Sequence, residues 1–123
     1  MSKRILIIDD SPIVRNLHSV MLKSAGFFTV DAENGFYALE KAMNSDFDLM
    51  IVDINMPKMD GYEFCKEIRG TDKYKDIPLL IVSTESEAED KMKGFKAGAN
   101  LYLIKPVKPE VLVENVNLLL DGK

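Results

Sequence analysis

Three carboxylates and one ammonium stand directly after short apolar runs. Asp9 and Asp10 follow residues 5–8, Asp53 follows 49–52, and Lys105 follows 101–104. A fourth run, 79–82, ends in the hydroxyls of Ser83 and Thr84. Carboxylates brought together repel, and a divalent cation that prefers oxygen relieves the conflict. Mg2+ suits such a set because it takes one or two carboxylates together with waters and a phosphate oxygen. Zinc suits it poorly, since His18 is the only histidine and Cys65 the only cysteine. An aspartate in such a site can also be a nucleophile and form an aspartyl phosphate. Asp53 stands alone after its run and is the better nucleophile, whereas the pair Asp9 and Asp10 is the better metal holder. Lys105 is a point charge able to neutralise a transferring phosphoryl group, and a hydroxyl at Ser83 can donate to one of its oxygens. Each residue also has a plainer alternative: an acidic rim in solvent, a surface lysine, a Ser or Thr that caps the next helix.

For that chemistry the runs must deliver their ends to one place. Runs of this length and composition read as strands buried on both faces of a parallel sheet. In an open α/β sheet the carboxyl ends of the strands share an edge, and ligands bind in the crevice outside it. The segments between the runs carry helix signals. Ser11 is placed as an N-cap with Pro12 at the first helical position. Ile13, Val14, Leu17, Val20, Met21 and Leu22 then form a stripe over 13–25, which Gly26 closes. Residues 27–30 read as a short strand near an edge. Asn34-Gly35 turns into a helix bearing Phe36, Ala38, Leu39, Ala42 and Met43, and Asp60 caps another that runs to Arg69. Residues 85–97 read as a charged helix with Ala88, Met92 and Phe95 as its thin apolar side, Gly94 within it and Gly98 stopping it. Pro109 opens a last helix with Leu112, Val116 and Leu119 inward. Five strands alternating with five helices predict right-handed crossovers and helices on both faces of the sheet.

The bulk properties narrow the function. At 123 residues, 46% hydrophobic, the chain fits a single domain over 1–123. A net charge of −4 gives no basic stripe for nucleic acid. No stretch approaches the ~20 apolar residues that span a bilayer, and the N-terminal run is too short for a signal peptide. One cysteine excludes an internal disulfide and fits a reducing cytoplasm. The end of the chain soon after Leu120 predicts no attached output module, and the lack of an extra apolar patch predicts a monomer.

The stretches 7–11, 52–61, 82–85, 98–100 and Lys105-Pro106, in this order and spacing, resemble the receiver domain of two-component response regulators, above all the single-domain chemotaxis regulators. The resemblance implies a flavodoxin-like, doubly wound (βα)5 fold with a five-stranded parallel sheet of order 2-1-3-4-5. It implies Asp53 as phospho-acceptor and member of the metal set, and Asp10 as a direct Mg2+ ligand. Asp9 would act through water or by ordering the site, and the backbone carbonyl of Asn55 would complete the ligands. Ser83 matches the switch hydroxyl and Lys105 the lysine that bonds the phosphoryl group. Thr84 matches the position whose N–H reaches the phosphoryl oxygens, and Tyr102 the aromatic whose rotamer follows the switch. Ser83 departs from the commoner threonine, which predicts looser coupling to Tyr102, and Val107 stands where phenylalanine is common. Asn55 and Glu85 occupy the two positions that tune dephosphorylation.

The function so implied is a phosphorylation-activated switch fed by a sensor histidine kinase with Mg2+. It alters partner binding through the face made by the fourth helix, fifth strand and fifth helix. A flagellar motor switch and a phosphatase are further implied partners. Its chemistry is limited to phosphorylating itself and slow autodephosphorylation, so it is not an independent enzyme. In this scheme Lys105 and Ser83 gain a partner only on phosphorylation, and Tyr102 turns from solvent toward the interior. A phosphorelay intermediate or phosphate sink, passing the group to a histidine phosphotransfer protein, would use the same site. A flavin carrier would instead want a hydroxyl- and glycine-rich loop where the chain has Asp9-Asp10-Ser11-Pro12, and an aspartate phosphatase would want an acid in place of Asn55. Lone His18 is no phosphodonor site, Cys65 reads as a core residue, and Met56 and Met59 either touch a kinase or pack their loop.

Overall fold

The apolar runs become strands because helices cover them on both faces. β1 (Arg4–Ile8), β3 (Leu49–Val52) and β4 (Leu79–Ser83) form the middle of a five-stranded sheet, with β2 (Phe28–Ala32) and β5 (Leu101–Ile104) at its edges. The computed structural model describes residues 2–121. α1 (Pro12–Ser24), α2 (Gly35–Asn44), α3 (Gly61–Arg69), α4 (Ala88–Lys96) and α5 (Pro109–Asp121) alternate with the strands. All neighbouring strands are parallel and the order is β2-β1-β3-β4-β5, the flavodoxin-like doubly wound arrangement. Ile8 pairs with Val52, Val52 with Ile81, and Ser83 with Ile104, so the residues after β1, β3 and β5 emerge at one edge.

Successive strand residues point to opposite faces, which divides the core. Leu6, Ile8, Met50, Val52 and Ile81 pack with Ala38, Ala42, Phe64, Ile68 and Ala97 of the α2–α4 side. Ile5, Ile7, Leu49, Ile51, Leu80 and Val82 pack with Leu22, Leu112 and Val116 of α1 and α5. Full burial of one such Ile or Leu contributes about 1.5–3 kcal/mol. Side chains satisfy the helix starts: Ser11 accepts from the Val14 N–H, Asn34 from Tyr37, and Asp60 forms a capping box with Glu63.

Two helices turn differently from the expected stripes. In α1, Leu22 and His18 are buried, while Ile13, Leu17 and Val20 are 80%, 50% and 53% exposed. The sheet and α5 cover only one side of this helix, and its apolar residues extend past that side. α4 starts at Ala88, because residues 85–87 belong to the loop leaving Ser83. Its expected inner residues Ala88, Met92 and Phe95 face solvent, and Gly94 and Ala97 are buried instead. The cause is close approach: a Cβ at Gly94 would lie 2.9 Å from Ile81 Cδ1 and 3.0 Å from Tyr102 Cδ2. A larger residue here would have to displace the Ile81 or Tyr102 side chain. Strand β2 runs from Phe28, because the Phe27 N–H is spent on Leu22 O at the end of α1.

The edge of the sheet opposite the acids is fastened by Arg69. Its guanidinium donates to Gly98 O at 2.7 and 3.0 Å, to Ile77 O, and to Asn100 Oδ1 at 2.9 Å. Asn100 Oδ1 also accepts from the Leu79 N–H at 2.8 Å. Gly98 has φ +113°, and a side chain there would meet Arg69 Cγ at 2.7 Å. Among the described residues no helix is long and apolar enough to cross a membrane.

Candidate functional site

The parallel register brings together the acids and lysine singled out by sequence. One oxygen from each of Asp9, Asp10 and Asp53 lies within 4.8 Å of the others. Lys105 Nζ donates to Asp9 Oδ2 at 2.7 Å and to Asp53 Oδ1 at 3.3 Å. Asp9 and Asp53 are 3% and 6% exposed, whereas Asp10 is open to solvent. Asp9 Oδ1 accepts from the Ser11 N–H at 2.9 Å, so both Asp9 oxygens are engaged within the protein. Arg15 donates to the Asp9 carbonyl at 2.7 Å and pairs with Asp31 at 2.9 Å. Asp10 and Asp53 therefore offer the oxygens best placed for a cation. A hard, all-oxygen donor set with one solvent-open member fits Mg2+, which retains waters.

Burial and the charge of Asp9 push the Asp53 carboxyl up to about 6, and Lys105 opposes them. Burial works against the charge of Lys105 as well. The hydrogen bond to Asp9 and the charges of Asp53 and Asp9 overcome it and hold the lysine above its ordinary value. Lys105 is thus already paired, contrary to the expectation that it gains a partner only on phosphorylation. Parallel strands set both acids within its reach.

The mouth of the site is built around Glu85. Its side chain accepts from Asn55 Nδ2 at 2.8 Å, its carbonyl from the Tyr102 hydroxyl at 2.8 Å, and its N–H donates to Ser83 Oγ at 3.1 Å. Ser83 is fully buried as the last residue of β4, and its hydroxyl too already has a partner. Thr84 is exposed beside it. Tyr102 is half-buried with its ring over Gly94, so the inward seat expected only after switching is filled here. The Lys105-Pro106 peptide is cis. Gly61 was not singled out beyond its stretch, yet a Cβ there would lie 2.3 Å from the Asp53 carbonyl. Its N–H donates to Ile54 O at 2.9 Å, which presses the start of α3 onto the end of β3. The signal in sequence is the Asp60-Gly61 pair, a cap followed by the residue without a side chain.

Residues 5–117 match the response regulator receiver domain. The chain belongs to this family. This receiver domain is 35% identical to the chemotaxis protein CheY1 of Helicobacter pylori over 119 residues, covering 95% of this chain and 96% of that protein. It is 36% identical to the gliding motility regulatory protein of Myxococcus xanthus over 94% of the chain, but spans only 15% of that longer protein. Among solved structures, Vibrio cholerae CheY4 superposes with a TM-score of 0.93 at 38% identity, covering 97% of this chain and 99% of that one. A receiver domain of the Pseudomonas aeruginosa sensor kinase PA1611, solved with a magnesium ion coordinated in its active-site cleft, has a TM-score of 0.91 at 26% identity, covering 98% and 99% of the two chains. A receiver domain is a signalling module of two-component systems rather than a classical enzyme. In this one, Met56 is buried and Met59 packs against the core, so both methionines serve their loop. His18 is 4% exposed, and burial lowers its pKa. Cys65 is buried in the core, and burial raises its thiol to about 12.

Proposed function

We propose that this receiver domain is a phosphorylation-activated switch in which Asp53 takes a phosphoryl group from a sensor histidine kinase. The observation that carries the reading is the convergence of the Asp9, Asp10 and Asp53 oxygens within 4.8 Å, with Lys105 bridging two of them. An Asp53 oxygen attacks phosphorus, the bond from phosphorus to the donor imidazole nitrogen breaks, and its electron pair stays with the imidazole. An acyl phosphate on Asp53 results. Asp10, Asp53 and the Asn55 carbonyl are the candidate Mg2+ ligands, with Asp9 ordering them. Mg2+ supplies charge neutralisation for the phosphoryl oxygens when bound. Lys105 exchanges a carboxylate for a phosphoryl oxygen, and the Thr84 N–H and Ser83 hydroxyl donate to others.

Drawing Ser83 Oγ toward the phosphoryl group removes it from the Glu85 N–H. Because Glu85 also holds Tyr102 and Asn55, the change reaches the face formed by α4, β5 and α5. A shift of this kind needs two states separated by a few kcal/mol. A role in chemotaxis, with a flagellar motor switch as target and a phosphatase to reset it, is supported by the match over nearly the whole length of CheY1. A cytoplasmic monomer suits this role.

Asp53→Asn abolishes labelling by acetyl phosphate and Mg2+ in this reading, and undiminished labelling refutes the assignment. Binding of a flagellar switch peptide should strengthen with beryllofluoride. Unchanged peptide affinity, with rapid transfer to a histidine phosphotransfer domain, favours the relay role instead.

A further inference from the structure

The loop between Asp53 and α3 is held by two side chains that turn inward. Met56 is 8% exposed in the core layer shared with α2 and α3, and Met59 packs against the same layer. Between them Lys58 has φ +72°, a left-handed conformation that is unfavourable for a residue other than glycine. The Met59 N–H donates to Pro57 O at 2.8 Å and the Gly61 N–H to Ile54 O at 2.9 Å, which closes the loop tightly. Met59 rests on Gly35, the first residue of α2. A Cβ at Gly35 would lie 2.7 Å from Met59 Sδ, 2.9 Å from its Cγ and 3.1 Å from its Cβ. Rotating the methionine clears the first two atoms, but Cβ is placed by the backbone. A methyl group on Gly35 therefore pushes the loop itself. Gly35 is not among the glycines with positive φ, so its backbone does not demand glycine. What the glycine provides is room for Met59.

We infer that Met59, seated on Gly35, is a positioning residue for the cation, fixing the loop whose Asn55 carbonyl completes the metal-binding set. The inference rests on the Mg2+ reading above. Asn55 is exposed, but its neighbours Ile54 and Met56 are 3% and 8% exposed, so the path of the loop sets the direction of its carbonyl. Partners of this indirect kind commonly change metal affinity by 10–100-fold when lost.

The test is a double-mutant cycle read by calorimetric titration of Mg2+ alone into the metal-free protein. Gly35→Ala should weaken Mg2+ binding about tenfold. The same change made in a Met59→Gly background should shift affinity less than about twofold, because the Cβ that a Gly35 methyl would meet is gone. Equal losses in both backgrounds, or no loss from Gly35→Ala alone, overturn the inference. Should Gly35→Ala fail to fold in chelator, Met59→Leu and Met59→Ala decide the matter: leucine retains affinity and alanine loses it, and equal affinities overturn the inference. An unsubstituted protein that takes up no Mg2+ overturns the metal reading and this inference with it, a failure visible before any variant is made.

Discussion

Asp53 is an acid whose ionisation the fold resists. Its folded pKa of about 6 lies above the ordinary 3.8, so the native state binds more protons between those values. Metal-free stability from this residue is therefore greatest in acid and falls as pH rises through that window, becoming flat above it. Asp53→Asn should remove the fall and exceed the parent near neutral pH by on the order of 1 kcal/mol, about 3–5 °C in midpoint. Thermal unfolding in chelator across pH 4–8 measures this. A variant less stable than its parent at neutral pH would contradict it. His18 acts in the opposite sense, because burial lowers its pKa and stability is lost as pH falls below 6.5. The difference between parent and variant, rather than either curve alone, is therefore the measurement. At this scale Asp9, Asp10, Asp53 and Lys105 were legible because charge directly after an apolar run is visible in the sequence. The holding contacts of Arg15, Gly61 and Glu85 were not. They depend on how closely the fold brings backbone atoms together, which the pattern of residue types does not record.

α4 shows how an element can be recognised and still be turned the wrong way. Its three apolar residues suggested an inner face, yet the inner position is Gly94, where the helix lies against Ile81 and Tyr102. Pattern reading gives weight to side chains and none to their absence, so a close approach made through glycine is invisible to it. The same blindness affected α1, where Ile13, Leu17 and Val20 continue an apolar pattern into solvent. Gly94→Ala sets two effects against each other. Helix propensity favours alanine by about 1 kcal/mol, and overpacking costs about 1–3 kcal/mol. The contacts at 2.9 and 3.0 Å decide for overpacking. The variant should lose about 1 kcal/mol net, and the Tyr102 ring should leave its seat with loss of the bond to Glu85. Thermal unfolding and the aromatic NMR signals of Tyr102 report both. A more stable variant with Tyr102 undisturbed would show that α4 yields instead.

Over the whole molecule, chemistry and fastening occupy opposite edges of the sheet. Arg69 joins the end of α3, the start of β4 and the turn before β5 through backbone carbonyls and Asn100. Arg69→Met leaves several of those acceptors without donors and should cost about 2–3 kcal/mol. Mg2+ affinity should stay within about twofold, since distant sites act independently. A large loss of affinity would mean that the two edges are coupled. Alternation of strands and helices announced a doubly wound sheet, but alternation alone permits several strand orders, and only the resemblance supplied 2-1-3-4-5. The near-complete burial of Asp53, 6% exposed, has a further consequence. On the proposed role of Asp53, a donor that carries its phosphate flush with a broad surface is shut out whatever its charge, while a free small molecule or a single protruding ring can slip in. Selection among donors thus begins with slenderness, ahead of any attraction.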